Sequence, residues 1–506
     1  MLALCALAAV GCTSASPGAP PGGPDGGGGS ASVLEHHNGP RRDGLYLDST
    51  LTRASAATFH RDLSFATSLS GAVYAQPLFF ANGPGGKDVV IAATGQNVVY
   101  ALDAATGSPV WQRSLGTPVP RATLPCGNLD PLGVTGTPVI DPVSRTLYLA
   151  AMTTPDGGAT KRHLAFALSL DDGSVRSGWP VDVGAAASFG GNAFLASVQN
   201  QRGALALLGG TLYVPYGGHW GDCGSYRGWL LGIPLGNPGA VKAWATGAVG
   251  GGAWGPSGVA SDGTWLFLAT GNTFGASNWA GGEALLRFAP GPAFGGSPAD
   301  YFAPGNWQAL DAGDVDLGGT GPMLLDVPGA TPSQLLVGLG KDGKIYLADR
   351  TNLGGVGGAV AVAVVSSGAI INAAAAYTTA TGAYVAFKGA GSACPAGQGG
   401  ELTAVRVVSG SPPSVVTAWC ARQNGAGSPM VTTSDGHAEA IVWGIGADAG
   451  GDARLHGFDG DSGQVVYAGG GPADAMPGGV PRFQTPILAK GRLFVGGNGA
   501  IHAFTR

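Results

Sequence analysis

The stretch that most constrains this chain is residues 97–111, Asn-Val-Val-Tyr-Ala-Leu-Asp-Ala-Ala-Thr-Gly-Ser-Pro-Val-Trp. Val98, Tyr100 and Leu102 alternate with Val99, Ala101 and Asp103, the period of two that a strand imposes on its side chains. A hairpin follows, because Asp103 and Thr106 can fold short side chains onto turn amides and Gly107 can take a positive φ without steric cost. Pro109, Val110 and Trp111 open the next strand. A degenerate copy, Asp459-Gly-Asp-Ser-Gly463, is followed by Tyr467, again an aromatic four residues past the glycine. Such a unit cannot bury its apolar faces alone, so copies must stack.

Eight copies can be marked by the residues that open their inner strands. They are Gln76-Pro77, Thr137-Pro138, Leu205, Ser257-Gly258, Gly321-Pro322, Ala374, Ser428-Pro429 and Thr485-Pro486. The eighth runs out at Phe504, one strand short. Leu63-Ser-Phe-Ala-Thr-Ser-Leu69, ahead of the first inner strand, is expected to supply that outer strand and close the ring through both termini. The fold expected is therefore all-β, a single eight-bladed β-propeller of four-stranded antiparallel blades, its last blade closed by an N-terminal strand. A parallel solenoid fits less well, because its repeats are shorter than the roughly 50 residues between successive hairpins here. Composition agrees: charged residues are 11% and glycines number 92 of 506, as many short strands and tight turns require. The run 359–377 is nearly continuous Ala, Val and Ile, but Ser366, Ser367, Gly368 and Asn372 interrupt it, so it reads as a buried strand and not a membrane helix.

The pattern Ala101-x-Asp103-x-x-Thr106-Gly107-x-x-x-Trp111 resembles the repeat of pyrroloquinoline-quinone-type propellers. That superfamily holds the eight-bladed quinoprotein alcohol dehydrogenases and the scaffold lipoprotein of outer-membrane barrel assembly. The chain also resembles an exported bacterial lipoprotein subgroup through Ala75-Gln76-Pro77-Leu78, Cys126-Gly127-Asn128, Gln199-Asn200-Gln201-Arg202 and Gly340-Lys341-Asp342-Gly343-Lys344. The resemblance implies pyrroloquinoline quinone (PQQ) and Ca²⁺ as cofactors of an alcohol or sugar dehydrogenase. Two departures count against a working quinone enzyme: no two cysteines are adjacent, and Cys-x-x-Cys-His is absent. The fold alone hosts unrelated functions.

Met1 to Gly11 form an apolar run ending in small residues before Cys12, which resembles a lipoprotein signal although it lacks a basic start. Cys12 is the expected lipidation site, residues 12–33 a Gly, Pro and Ser-rich tether, and residues 34–506 the propeller. The localisation expected is the cell envelope, as an outer-membrane lipoprotein facing the periplasm or the cell surface. Cys126, Cys223, Cys394 and Cys420 are an even set that allows three pairings, or free buried thiols. We favour Cys394 with Cys420, which share a repeat, and Cys126 with Cys223. The net charge of −5 and the lack of a basic stripe exclude an electrostatic nucleic-acid footprint.

No hydrolase elbow, zinc helix or phosphate-cradling glycine loop is present. His456 and His502 occupy the repeat position of Tyr100 and Tyr346 and read as structural. His219, in Gly-Gly-His219-Trp220-Gly-Asp-Cys223, lies in an insertion where no packing rule demands it. Asp311, Asp314 and Asp316 could converge on Ca²⁺ or simply cap Asx turns. Gln199, Gln201 and Arg202 offer amides and a guanidinium for a sugar, carboxylate or peptide backbone, or tie down a connector.

Strand alternation puts the connections between second and third strands on the same rim as those between blades. The long insertions 121–133, 185–201, 249–254, 303–320, 217–228, 272–282 and 389–400 all fall there, opposite short hairpins such as 104–108. That decorated rim, with Gln201, Arg202, His219, Trp220, Trp254 and Trp279, is the expected ligand face. The leading reading is a monomeric, lipid-anchored binding or scaffold module for a protein or envelope glycan. The alternative is the quinone- and Ca²⁺-dependent dehydrogenase.

Overall fold

A computed structural model describes residues 32–506. Cys12, the signal-like run and most of the tether lie outside them. In the first blade the inner strand Leu78–Phe80 pairs with Val89–Ala93, then Val98–Asp103, then Pro109–Ser114, all antiparallel. The hairpin between the last two is made as its residues dictate: the Asp103 carboxylate accepts from the amides of Ala105 and Thr106, and Gly107 sits at φ 79°. Inner strands then open seven further sheets at Val139–Asp141, Ala206–Leu208, Ala260–Ser261, Met323–Asp326, Ala375–Thr379, Met430–Thr433 and Ile487–Ala489. The result is an eight-bladed β-propeller. Among the described residues no helix is long and apolar enough to cross a membrane.

Blades adhere through apolar side chains of facing sheets; Leu78 and Ile91 of the first blade, for example, share a cluster with Leu147 and Phe166 of the second. Trp111 crosses that seam. It is 9% exposed, its indole donates to the Leu170 carbonyl at 2.8 Å, and a Cβ at Gly173 would lie 2.7 Å from its ring. Trp419 repeats the arrangement between the sixth and seventh blades, donating to the Gly460 carbonyl.

The ring closes through an N-terminal strand, but through His60–Arg61, which pairs with Thr505 and Phe504, and not through residues 63–69. Phe65 and Leu69 of that stretch are buried in the core, Phe65 beside Phe494, and pack where the sequence suggested ladder bonds, while Leu63 stays exposed. The run read as a buried strand is corrected too. Ala361–Val364 is the outer strand of the fifth blade, with Val362 and Val364 about half exposed. The rim opposite the insertions is also less uniform than expected. A segment between the third and fourth strands of the fifth blade sends Gly355–Val356 to pair in parallel with the outer strand of the fourth, Tyr301–Ala303.

Before closing the ring, the N-terminal segment winds around its inside, against the inner strands. Val33 bridges Phe79 of the first blade, and the carbonyls of Leu34, Pro40, Arg41, Asp43 and Gly44 accept from Ile140, Ser261, Leu324, Ala376 and Val431 of the second, fourth, fifth, sixth and seventh. Leu45–Leu47 then lies parallel to Met430–Thr433. Arg42 is fully buried. It pairs with Glu35 at 2.7 Å and donates to the carbonyls of Leu205 and Val259 in the third and fourth blades. Buried polar backbone inside a ring demands partners, and this strap and the inner strands satisfy one another.

Candidate functional site

The strap leaves open a funnel of about 810 Å³ on the decorated rim. Its wall draws on Tyr74 and Gln76 of the first blade, Asn128 and Thr137 of the second, Arg202 and Trp220 of the third, and Arg482 and Phe483 ahead of the eighth. Disulfide bonds join Cys126 to Cys223 and Cys394 to Cys420. The first ties the Asn128 loop to the Trp220 loop. Trp220 stands 66% exposed.

Arg202 is the cation of this wall. Its guanidinium lies 5.0 Å from the Phe483 ring centre and 5.6 Å from that of Trp254, and among the described residues it makes no hydrogen bond and no ion pair. Burial, then the charge of Arg482, lowers its pKa to about 10, which leaves it cationic at neutral pH. Arg482 is paired, with Nη2 at 2.6 Å from Asp448. Phe483, Asp448 and Ala453, all on the wall, have φ of 71°, 74° and 53°. Left-handed backbone is costly for such residues and collects at ligand clamps.

The strap contributes His36, 2% exposed and stacked on His37 at 4.4 Å. Burial, then the neighbouring His37 and Arg42, holds it well below the ordinary histidine range, so the ring is neutral. Its Nδ1 lies 3.4 Å from the Thr137 hydroxyl, while its buried Nε2 has no partner.

A second polar cluster lies beyond Trp254. Lys341 is 5.4 Å from the Trp254 ring centre and bridges Asp314 at 2.8 Å and Asp316 at 2.5 Å. Asp316 also accepts from the Asn272 amide at 2.9 Å, and the Asn272 side chain donates to Asp314. Burial penalises the Asp316 charge more than Lys341 recovers, so its pKa is raised. Glu283, fully buried, accepts from the Leu317 amide at 2.7 Å. Burial, then the Asp316 charge, pushes it up to about 9, which makes it a neutral acid.

The sequence candidates therefore separate. Arg202 and Trp220 line the funnel, and Trp254 backs Arg202. Gln199 is spent on the Gly217 and Arg227 carbonyls and Gln201 on that of Gly203, so these two tie down the connector. His219, 2% exposed, has its Nε2 at 3.2 Å from the Ser197 carbonyl and is a loop tie. Trp279 stacks on Tyr301 at 3.8 Å, away from the funnel. Asp311 sits in the short helix Trp307–Ala312 and does not join Asp314 and Asp316 at Lys341. Among the described residues no group of three acidic, His or Cys side chains is arranged to hold a metal ion. His456 faces Asp452 at 2.9 Å, as Tyr346 faces Asp342, which explains their shared repeat position. Tyr74, His36 and Phe483 were missed, because nothing in local pattern marks residues brought together from both ends of the chain.

The ring and funnel define a propeller of the quinoprotein alcohol dehydrogenase fold. The chain is similar to the quinohemoprotein alcohol dehydrogenase of Comamonas testosteroni, with 15% identity, 94% of this chain and 80% of that one covered, and a TM-score of 0.62. It is similar to the quinohemoprotein alcohol dehydrogenase ADHIIG of Pseudomonas putida HK5 at 12% identity, the same coverages and a TM-score of 0.65. A europium-containing methanol dehydrogenase matches at 14%, 92% and 90% coverage and 0.57. No protein-family model matches the chain, and no curated protein does. At these identities the likeness is one of fold.

Proposed function

We propose that this chain is an exported binding propeller, held to the envelope by lipid on Cys12, whose funnel captures an envelope protein or glycan. One observation carries the reading. Two of the funnel's polar groups stand unengaged: among the described residues the Arg202 guanidinium and the buried His36 Nε2 have no partner. In the acidic cluster beyond Trp254, Lys341 neutralises Asp314 and Asp316, while Asn272 Oδ1, Glu283 Oε1 and Asp311 Oδ1 are buried without a partner among the described residues.

The quinone reading draws support from that same cluster, since carboxylates beside a tryptophan suit a metal and a planar ring. The residues fit the pair only in part: Asn272 Oδ1 and Glu283 Oε1 are buried oxygens without a partner among the described residues, but Glu283 is a neutral acid and Lys341 holds both aspartates. A hard cation drawing on Asp314 or Asp316 would compete with the Lys341 ammonium for them, and a ring stacking on Trp254 would compete with Arg202 and Lys341 for its faces. Purified protein reconstituted with PQQ and Ca²⁺ is expected to reduce no dye over a panel of alcohols and sugars, whereas substrate-dependent reduction would replace the binding reading with the dehydrogenase. For the anchor, Cys12→Ser is expected to release the protein into the soluble fraction. Unchanged membrane association would remove the lipid.

A further inference from the structure

Among the described residues four polar groups of the funnel have no hydrogen-bond or ion-pair partner: the Arg202 guanidinium, the Tyr74 hydroxyl, the Asn128 amide and the buried Nε2 of His36. The buried His36 Nε2 costs free energy unless a ligand completes it, and the more accessible Arg202, Tyr74 and Asn128 are free to be recruited by the same ligand. Their kinds define that ligand. A guanidinium flanked by Phe483 and Trp254 has its faces covered and its N–H edge left for a planar, bidentate anion, which is carboxylate chemistry. A phenol, an amide and a neutral imidazole are exchangeable donors and acceptors, which suit hydroxyl groups. Trp220 and Phe483 add flat apolar surface of the kind that packs on the C–H face of a pyranose. Phe483 holds its place at a left-handed φ of 71°, strain the fold carries where the guanidinium is clamped. The neighbouring cation, Arg482, is already paired with Asp448, so the wall has one unneutralised charge and calls for one anionic group. The volume of about 810 Å³ suits one or two sugar rings and no long polymer.

We infer that the funnel binds a hydroxylated carboxylate of the uronic acid class, its carboxylate on Arg202 and its hydroxyls on Tyr74, Asn128 and His36. This rests on the binding reading above and narrows it to acidic saccharides.

The test is a titration of the full chain by calorimetry and tryptophan fluorescence with glucuronate and galacturonate, against glucose, galactose and acetate. Each uronate is expected to bind at least tenfold more tightly than its neutral hexose, and acetate far more weakly than either uronate, because a bidentate charged pair and the hydroxyl contacts each contribute about a factor of ten or more. Arg202→Met should erase the preference for acid over neutral sugar. Asn128→Ala, at an exposed position, should weaken both sugars alike and keep their ratio. Ser108→Arg, on the opposite rim, should change nothing. Equal affinity for glucose and glucuronate, a preference that survives Arg202→Met, acetate binding as well as the uronates, or no uronate binding would each overturn the inference. Neutral glycan or protein captured at the decorated rim would do so while leaving the binding propeller standing. Quinone-dependent dye reduction would fail the binding reading itself.

Discussion

Glu283 carries a proton that its unfolded chain would not. Its folded pKa, raised to about 9 by burial and then by Asp316, lies above the ordinary value of 4.5, so between these values the folded state binds more protons than the unfolded one. Stability contributed by this group is then present below about 4.5 and is lost as pH rises towards 9. Glu283→Gln keeps an oxygen for the Leu317 amide and removes the titration. The melting temperature of the wild type is expected to fall between pH 5 and 9 by several degrees more than that of Glu283→Gln. Parallel pH profiles would show that Glu283 ionises freely. Nothing in Gly-Gly-Glu283-Ala-Leu-Leu marks this residue locally. Its environment comes from Asp316 and Leu317, on a loop more than thirty positions on, which is why it went unread.

At the scale of the blade, the Asp-x-x-Thr-Gly-x-x-x-Trp wording was legible because every part acts within a few residues or on the next repeat. Asp103 and Gly107 shape the turn, and Trp111 reaches the Leu170 carbonyl one blade on. Trp111→Ala removes a large buried side chain and an indole bond, and is expected to cost about 3–5 kcal/mol in chemical denaturation. A mutant unfolding like the wild type would mean that the seam closes without the wedge. The strap was not legible. Residues 33–47 have no repeat partner and no regular period, and their backbone hydrogen bonds go to six blades in turn. Gln199 and His219 misled for the converse reason: an isolated polar residue in an insertion signals a ligand or a tie equally well until its partner is known.

For the whole ring, the inner-strand openers and the decorated rim followed from strand count and direction, while the funnel chemistry depended on residues assembled from both termini. The two disulfides act on different lengths of chain. Cys126–Cys223 spans 97 positions and Cys394–Cys420 spans 26, so by loop entropy the first stabilises by about 4–5 kcal/mol and the second by about 3–4. Replacing the first pair by serine should therefore lower the denaturation midpoint more, and it alone should loosen the funnel, seen as faster hydrogen exchange around Asn128 and Trp220. The reverse order would mean that native contacts, and not the unfolded chain, set their worth.

The strap has a consequence for how the molecule is made. Residues 33–47 leave the ribosome before any blade they will touch, and His60–Arg61 waits for Thr505 and Phe504, which are made only after the other seven blades. Blades can form in order, but the segment inside them finds all its partners only when the ring is nearly complete, so its seating comes late in folding. If the chain is exported, as we propose, a segment that stays unpaired until then remains threadable through a translocation pore, and the ring locks only on the far side.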